Sequence, residues 1–153
     1  MTRTAAREIA VQLGYALALC GEDHENALDR FFDKEYYATL FQEDELFSAY
    51  PDQKQLQYIL TLAKGTSERR EELDKLIEKY AKGWKLSRIL PIALAILRTA
   101  IFEVLYMDEV PDSAAINEAI ELSKGYCEQE TVSFINGILG SFMRAEREEH
   151  SCD

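Results

Sequence analysis

The 153-residue chain contains few of the residues that interrupt helices or cross-link a fold. It has three prolines, seven glycines and three cysteines. Because proline and glycine dominate turns, their scarcity argues against a loop-rich β-sandwich or a disordered chain and favours long helices. The cysteines Cys20, Cys127 and Cys152 are far apart and form no metal-binding or redox spacing. Free thiols in a reducing compartment are therefore expected.

Long apolar stretches are also missing. No charge-free segment of the chain reaches the ~20 residues that a membrane-spanning helix needs. The N-terminus lacks the apolar block and cleavage site of a signal peptide. We therefore expect a cytoplasmic protein that makes no membrane contact. Hydrophobic residues make up 47% of the chain, which suits a single domain over residues 1–153 with one apolar core.

The charge is acidic and unevenly distributed. The chain has 28 acidic and 17 basic residues, for a formal net charge of -11. Residues 22–45 contain nine acids and two bases, whereas residues 64–88 contain eight bases and five acids. An acidic total disfavours nonspecific nucleic-acid binding, because phosphate neutralisation supplies most of that affinity. A local basic surface remains compatible with this composition.

In the first half of the chain, apolar residues recur at helical spacing in three segments. The predicted N-terminal signals of these helices are Thr2 or Thr4, Asp23, and Pro51 in a first turn. The first helix should run to about Cys20, and the third should end or bend at Gly65. Residues 37–50, within the divergent acidic segment 22–50, have no clear period. They are predicted to form turns with a helical fragment.

Four further helices are predicted in the second half. Their N-terminal signals are Thr66 or Ser67, Ser87 with Pro91 in the first turn, Asp112 or Ser113, and Thr131. The segment Ile89–Leu97 is apolar around most of its circumference and should lie in the core, after a link that holds Trp84. Gly125 should end the penultimate helix, and the polar tail 144–153 should fray. Since no segment has strand period, the predicted fold class is all-α, a compact bundle of about seven helices.

Five short segments form a pattern when they are taken in order. They are Thr-Ala-Ala-Arg-Glu-Ile-Ala-Val-Gln at 4–12, Ala-Ile-Leu-Arg-Thr-Ala-Ile-Phe-Glu-Val-Leu at 95–105, Val-Pro at 110–111, Ala-Ile-Asn-Glu-Ala-Ile-Glu-Leu-Ser-Lys at 115–124, and Phe-Ile-Asn-Gly-Ile-Leu at 134–139. Their order and spacing resemble the NusB family. This resemblance implies an all-helical domain that binds boxA RNA with the ribosomal protein NusE in the transcription elongation complex, where it opposes termination. It implies no catalysis.

The resemblance also implies where RNA binds. Carried over by position, the family's RNA contacts fall on Arg3, Arg7, Tyr126, Glu130 and Phe134. Two arginines one helical turn apart share a face and can contact one phosphate backbone. The simpler alternative is a solvated helix end with Arg7 paired to an acid. Tyr126, expected in a loop after Gly125, and Phe134 can stack on unpaired bases, although Phe134 suits the core equally well.

Further residues are assigned by the same resemblance. The family's contact with NusE falls on Tyr15, and Arg98 and Asn136 occupy family-typical positions to which we assign structural roles. Neither a nucleophile with a base nor a metal-ligand spacing is found, so no catalytic site, metal or cofactor is predicted. An alternative function is a helical protein-interaction module with little RNA affinity, for example a homodimer through its first helix. The sparse N-terminal arginines favour that alternative.

Overall fold

A computed structural model describes residues 1–19 and 23–148, which contain eight α-helices and no β-strand. The helices are α1 (Arg3–Leu19), α2 (His24–Phe31), α3 (Lys34–Leu40), α4 (Gln53–Glu68), α5 (Arg70–Tyr80), α6 (Pro91–Tyr106), α7 (Asp112–Tyr126) and α8 (Gln129–Met143). The predicted all-α class is confirmed, with one helix more than the approximate count. The chain divides into two compact units, residues 1–67 and residues from 68 onward.

In the first unit, α1 and α4 lie side by side and run in the same direction. The carbonyl of Met1 accepts a hydrogen bond from Gln55, and Arg3 lies over the ring of Tyr58. Further along, a Cβ on Gly14 would lie 3.6 Å from Oγ1 of Thr66. Residues later in α1 therefore contact residues later in α4, as expected for two parallel helices. Thr2 caps α1, as predicted, by accepting a hydrogen bond from the amide of Ala5 at 3.0 Å.

The acidic segment is more regularly structured than the irregular spacing of its apolar residues indicates. Asp23 caps α2 as predicted, but Asp33 caps a separate helix, α3, by accepting a hydrogen bond from the amide of Tyr36 at 3.1 Å. Tyr37 is buried and lies at the centre of an aromatic cluster with four other rings: Phe31, Phe32, Phe47 and Tyr50. Packing of these rings organises a segment in which the apolar residues do not repeat regularly.

The boundaries of α4 correct two predictions. Pro51 precedes the helix, because Asp52 and Gln55 exchange reciprocal hydrogen bonds that form a capping box. The helix also continues through Gly65 to Glu68. Thr66 is buried and donates its hydroxyl to the carbonyl of Leu62 at 2.8 Å. It therefore satisfies a hydrogen bond inside α4 and caps no following helix, and α5 begins without a side-chain cap.

In the second unit, α6 is the central helix and packs against α5, α7 and α8. Pro91 is its first residue, which suits a proline because the first amide of a helix needs no intrahelical acceptor. Eleven of the sixteen residues of α6 are buried, which confirms its predicted place in the core. Arg98 joins α6 to α5 through Asp74, so its predicted structural role is confirmed.

The C-terminal part differs from the sequence prediction at four points. Gly125 lies within α7, which ends one residue later, and Thr131 lies inside the first turns of α8. Residues 144–148 form a π-helical turn, and Arg147 binds Asp112 with a nitrogen–oxygen distance of 3.0 Å. This part of the tail is therefore held by an ion pair. Asn136 is exposed and makes no side-chain hydrogen bond with the residues described, so its predicted structural role is wrong.

Candidate nucleic-acid and partner interface

The two N-terminal arginines of α1 differ in exposure. Arg3 is exposed, and its guanidinium carbon lies 3.9 Å from the centroid of the Tyr58 ring. Arg7 lies 5.8 Å from the same centroid, but it is only 4% exposed. Both distances are within the range of cation–π attraction. Of this pair, Arg3 is the side chain that solvent or a phosphate can reach, and Arg7 lies beneath the surface.

Tyr15 lies further along α1 on an exposed apolar strip. Tyr15 is 36% exposed and Leu19, four residues later, is 66% exposed. Residues four apart share a helix face, so the two side chains form one surface patch. Arg3 is twelve residues before Tyr15, about 18 Å away along the helix axis. The predicted partner residue and the exposed arginine are therefore at opposite ends of one helix.

The other three candidate residues are close together at the junction of α7 and α8. Only Cys127 and Glu128 separate these helices. Tyr126 is 38% exposed and is the last residue of α7, so the prediction that it lies in a loop after a glycine stop is wrong. Glu130 is exposed in the first turn of α8, and Phe134 follows one turn later on the same face. The short link thus brings two aromatic rings and a carboxylate to one end of the helix pair.

Cys127 occupies the link between these helices. Its amide donates a hydrogen bond to the carbonyl of Ser123 at 2.8 Å, which ends α7. Burial raises the pKa of the Cys127 thiol above its ordinary value. The side chain therefore stays a neutral thiol at physiological pH, where it adds no negative charge next to Tyr126.

Phe134 is half-buried and contacts Trp84 with the two rings tilted relative to each other. The two ring centroids are 5.3 Å apart, with an angle of 58° between the ring planes. Trp84 is itself 51% exposed. Trp84 lies in a link that the sequence predicts, but the sequence pattern predicts no role for it. Its contact with Phe134 joins residues fifty positions apart, which neither local spacing nor helix period can reveal.

Among the described residues there is neither a metal-binding cluster nor a membrane-spanning helix. No group of three or more histidine, cysteine, aspartate or glutamate side chains there has the geometry to hold a metal ion. His24 instead shares a hydrogen bond with Ser67 at 2.7 Å. None of the helices described is both long and apolar enough to cross a membrane.

The fold belongs to the all-α class, and the candidate residues are two arginines, three aromatic side chains and one glutamate. Comparison with known proteins then identifies the family. The NusB family matches residues 4–144. The chain is 42% identical over 146 residues to the transcription antitermination protein NusB of Acetivibrio thermocellus, covering 95% of this chain and 91% of that protein. The chain belongs to the NusB family.

Solved structures of lower identity share the fold. NusB of T. maritima superposes with a TM-score of 0.78 at 24% identity, covering 99% of this chain and 97% of that one. A chain from a crystal structure of the antitermination factors NusB and NusE with double-stranded RNA has a TM-score of 0.71 at 21% identity, covering 94% and 96%. At these identities the likeness establishes the fold.

Proposed function

We propose that this chain is a transcription antitermination factor that binds boxA RNA together with the ribosomal protein NusE. The observation that carries the proposal is the NusB family match over residues 4–144, with 42% identity to a NusB antitermination protein. The similar fold in a complex of NusB, NusE and RNA supports both partners. The role is one of assembly without catalysis, in the cytoplasm with the transcription elongation complex. We infer that residues 1–153 form one domain; the family match at residues 4–144, which includes parts of both compact units, supports this.

The exposed strip on α1 is the surface that we assign to NusE. Tyr15 and Leu19 offer adjacent apolar area, and a partly exposed tyrosine is a frequent anchor of protein interfaces. A basic partner is also suited to a chain with a net charge of -11. Docking of NusE would supply positive charge that this chain lacks, and the RNA would then be held by both proteins.

The RNA contacts divide into two chemical kinds. Arg3 is placed to bind phosphate, whereas Tyr126 and Phe134 offer aromatic faces on which unpaired bases can stack, and Glu130 can accept hydrogen bonds from base amino groups. Phosphate contacts fix the position of the strand, and base contacts give the sequence preference. Arg7 supports Tyr58 beneath Arg3 in this assignment.

The burial of Arg7 also favours a second candidate function. With Arg7 4% exposed, Arg3 is the one N-terminal arginine at the surface of α1. A single exposed arginine neutralises few phosphates, so the chain would have little RNA affinity alone. The alternative is a protein-interaction module that uses the Tyr15 and Leu19 strip, either for a partner protein or for a second copy of the chain.

Binding of NusE from the same source tests the proposal. Calorimetry with wild type should show binding at micromolar concentrations, and Tyr15→Ala should weaken it at least fivefold, as expected for an interface anchor worth at least about 1 kcal/mol. Tyr36→Ala is the matched control, because Tyr36 is an exposed tyrosine outside the strip. No heat and no co-elution with wild type would contradict the antitermination role. Self-association that Tyr15→Ala abolishes would favour the interaction module.

A further inference from the structure

The link between α5 and α6 exposes the only tryptophan of the chain. Gly83 has a φ of 82°, a left-handed conformation that glycine adopts without strain, and the chain turns there immediately before Trp84. The indole is half exposed, and its inner part packs against Phe134. A groove of about 460 Å³ lies beside the indole, with Ala81 and Leu86 among its lining residues. The turn thus presents a large aromatic face to solvent.

The same link is a basic segment in an acidic protein. No aspartate or glutamate occurs between Lys79 and Phe102. Lys82, Lys85 and Arg88 are exposed, and within the part of the chain that the structure describes their side chains make no ion pair. Lys79 by contrast has a partner, with its Nζ 3.7 Å from a carboxylate oxygen of Glu146. The three unpaired cations flank Trp84 on both sides.

We propose that Trp84 and Phe134 together form a stacking platform for a base of single-stranded RNA, and that Lys85 and Arg88 bind the phosphates beside that base. The inference rests on the proposed RNA-binding function and extends its surface from Phe134 across the link. Aromatic rings beside unpaired cations are the combination that binds single strands, since each base has a flat face and each nucleotide a negative charge. Trp84, Lys85 and Arg88 would then contact RNA without regard to its sequence, so they would strengthen the binding of any strand.

The charge of the link argues for RNA over an apolar protein partner. Burying Lys82, Lys85 and Arg88 against an apolar surface would remove three charges from water without compensation, which is costly. A polyanion compensates each of them. Glu78 also lines the groove, but no acidic residue occurs from Lys82 to Leu90, so the positive charge of this segment has no acid within the segment to oppose it.

Trp84 makes its own test possible, because it is the only tryptophan in the chain. A boxA single strand is titrated into the complex with NusE while tryptophan emission is recorded, with the Trp84→Phe complex as the blank. The inference predicts that emission of the wild-type complex falls on RNA binding and that this change is absent from the blank. Emission that stays constant while fluorescence anisotropy shows the strand binding would overturn it.

Affinity provides an independent readout. Trp84→Ala should weaken binding of boxA and of a scrambled strand alike, by roughly 5- to 150-fold, the usual effect of losing one base–aromatic stack. Trp84→Phe should keep most of the affinity because phenylalanine also stacks. Phe41→Ala is the matched control, an exposed aromatic elsewhere, and should bind as wild type does. Equal affinity of wild type and Trp84→Ala would also overturn the inference.

The charged residues are tested through the salt dependence. For a single strand, each phosphate contact contributes about 0.7 to the slope of log affinity against log salt. The double variant Lys85→Ala/Arg88→Ala should therefore have a slope smaller by roughly 1.4, whereas Lys75→Ala, an exposed lysine of α5, should match wild type. An unchanged slope would contradict the phosphate contacts. If the wild-type complex binds no RNA in any of these experiments, the proposed function itself is wrong. That outcome differs from RNA binding that does not depend on Trp84, which would contradict only the further inference.

Discussion

Arg98 of α6 donates two hydrogen bonds to the carboxylate of Asp74 of α5, at 2.7 Å from Nε to Oδ1 and at 3.1 Å from Nη2 to Oδ2. Both side chains are largely buried, with 9% and 19% of their surfaces exposed. This bidentate geometry satisfies a guanidinium in the core and fixes the register of α5 on the central helix. The pair shows why a family-typical arginine can be structural in a protein proposed to bind RNA.

Breaking that pair should destabilise the fold. Asp74→Ala leaves the Arg98 charge buried and unpaired, so we expect the free energy of unfolding to fall by about 3 kcal/mol. Lys124→Ala is the control, because it removes an exposed pair with Glu121 and should cost less than about 1 kcal/mol. Urea unfolding followed by circular dichroism measures both. Equal costs would mean that the Arg98 pair contributes no more than a surface ion pair.

Two leucines of the central segment should respond very differently to truncation. Leu97 is fully buried in α6, and Leu97→Ala should lower the free energy of unfolding by about 2–5 kcal/mol. Leu90 lies just before the helix and is exposed, so Leu90→Ala should cost under about 0.5 kcal/mol. Leu90 belongs to the apolar segment Ile89–Leu97 that is predicted to lie in the core, and the structure corrects this for Leu90. A loss for Leu97→Ala as small as that for Leu90→Ala would contradict the central position of α6.

The fold class and the central helix could be predicted from the sequence because both follow from local period. The apolar circumference of α6 is a property of one short segment, and Thr2 and Asp23 each cap the helix that begins next to them in the sequence. Helix ends were harder to predict. Thr66 has the chemistry of a cap, but it is buried in the middle of a helix, where its hydroxyl bonds a carbonyl one turn back.

The candidate site was predicted less completely, because it depends on contacts between distant residues. The exposure of Tyr15 and Tyr126 agrees with their proposed binding roles, whereas Arg7 is buried near Tyr58, fifty-one residues away in the sequence. The pairing of Trp84 with Phe134 likewise spans fifty residues. The helical period of apolar residues carries no information about contacts between residues so far apart in the sequence.

Substituting the two N-terminal arginines one at a time should affect the free energy of unfolding and RNA binding differently. Arg7→Ala removes a buried side chain beside Tyr58 and should lower the free energy of unfolding by about 1–3 kcal/mol. Arg3→Ala should cost about 0.5–1 kcal/mol, the usual contribution of an exposed cation–π contact such as that with Tyr58, while weakening RNA binding by the complex with NusE. Thermal unfolding and RNA titration of both variants make the comparison. Stability lost with Arg3→Ala and retained with Arg7→Ala would reverse the assigned roles.

Tyr37 should make stability fall at alkaline pH. Burial, and to a smaller extent repulsion by Tyr50, raises the pKa of the Tyr37 hydroxyl above the ordinary value of 10.0. The unfolded chain then releases this proton first, so the contribution is complete below pH 10 and is lost as the pH rises further. Tyr37→Phe also loses the hydrogen bond to the carbonyl of Ala49, worth about 1 kcal/mol.

Urea unfolding between neutral and alkaline pH checks this sign. The stability difference between wild type and Tyr37→Phe should be constant up to about pH 10 and should then shrink, at a slope of up to about 1.4 kcal/mol per pH unit. A difference that grows with pH would show that the Tyr37 hydroxyl ionises more easily in the folded protein than in the unfolded chain.

The central claim is that this chain contributes RNA recognition to a complex with NusE. The most direct test is a fluorescence anisotropy titration of boxA and of a scrambled strand, with NusE alone, with this chain alone and with the two together. We expect weak binding by this chain alone and tight binding by the pair with a preference for boxA. Tyr126→Ala should lose that preference, because base contacts give specificity. If the pair binds boxA no better than NusE alone, this chain contributes no RNA recognition.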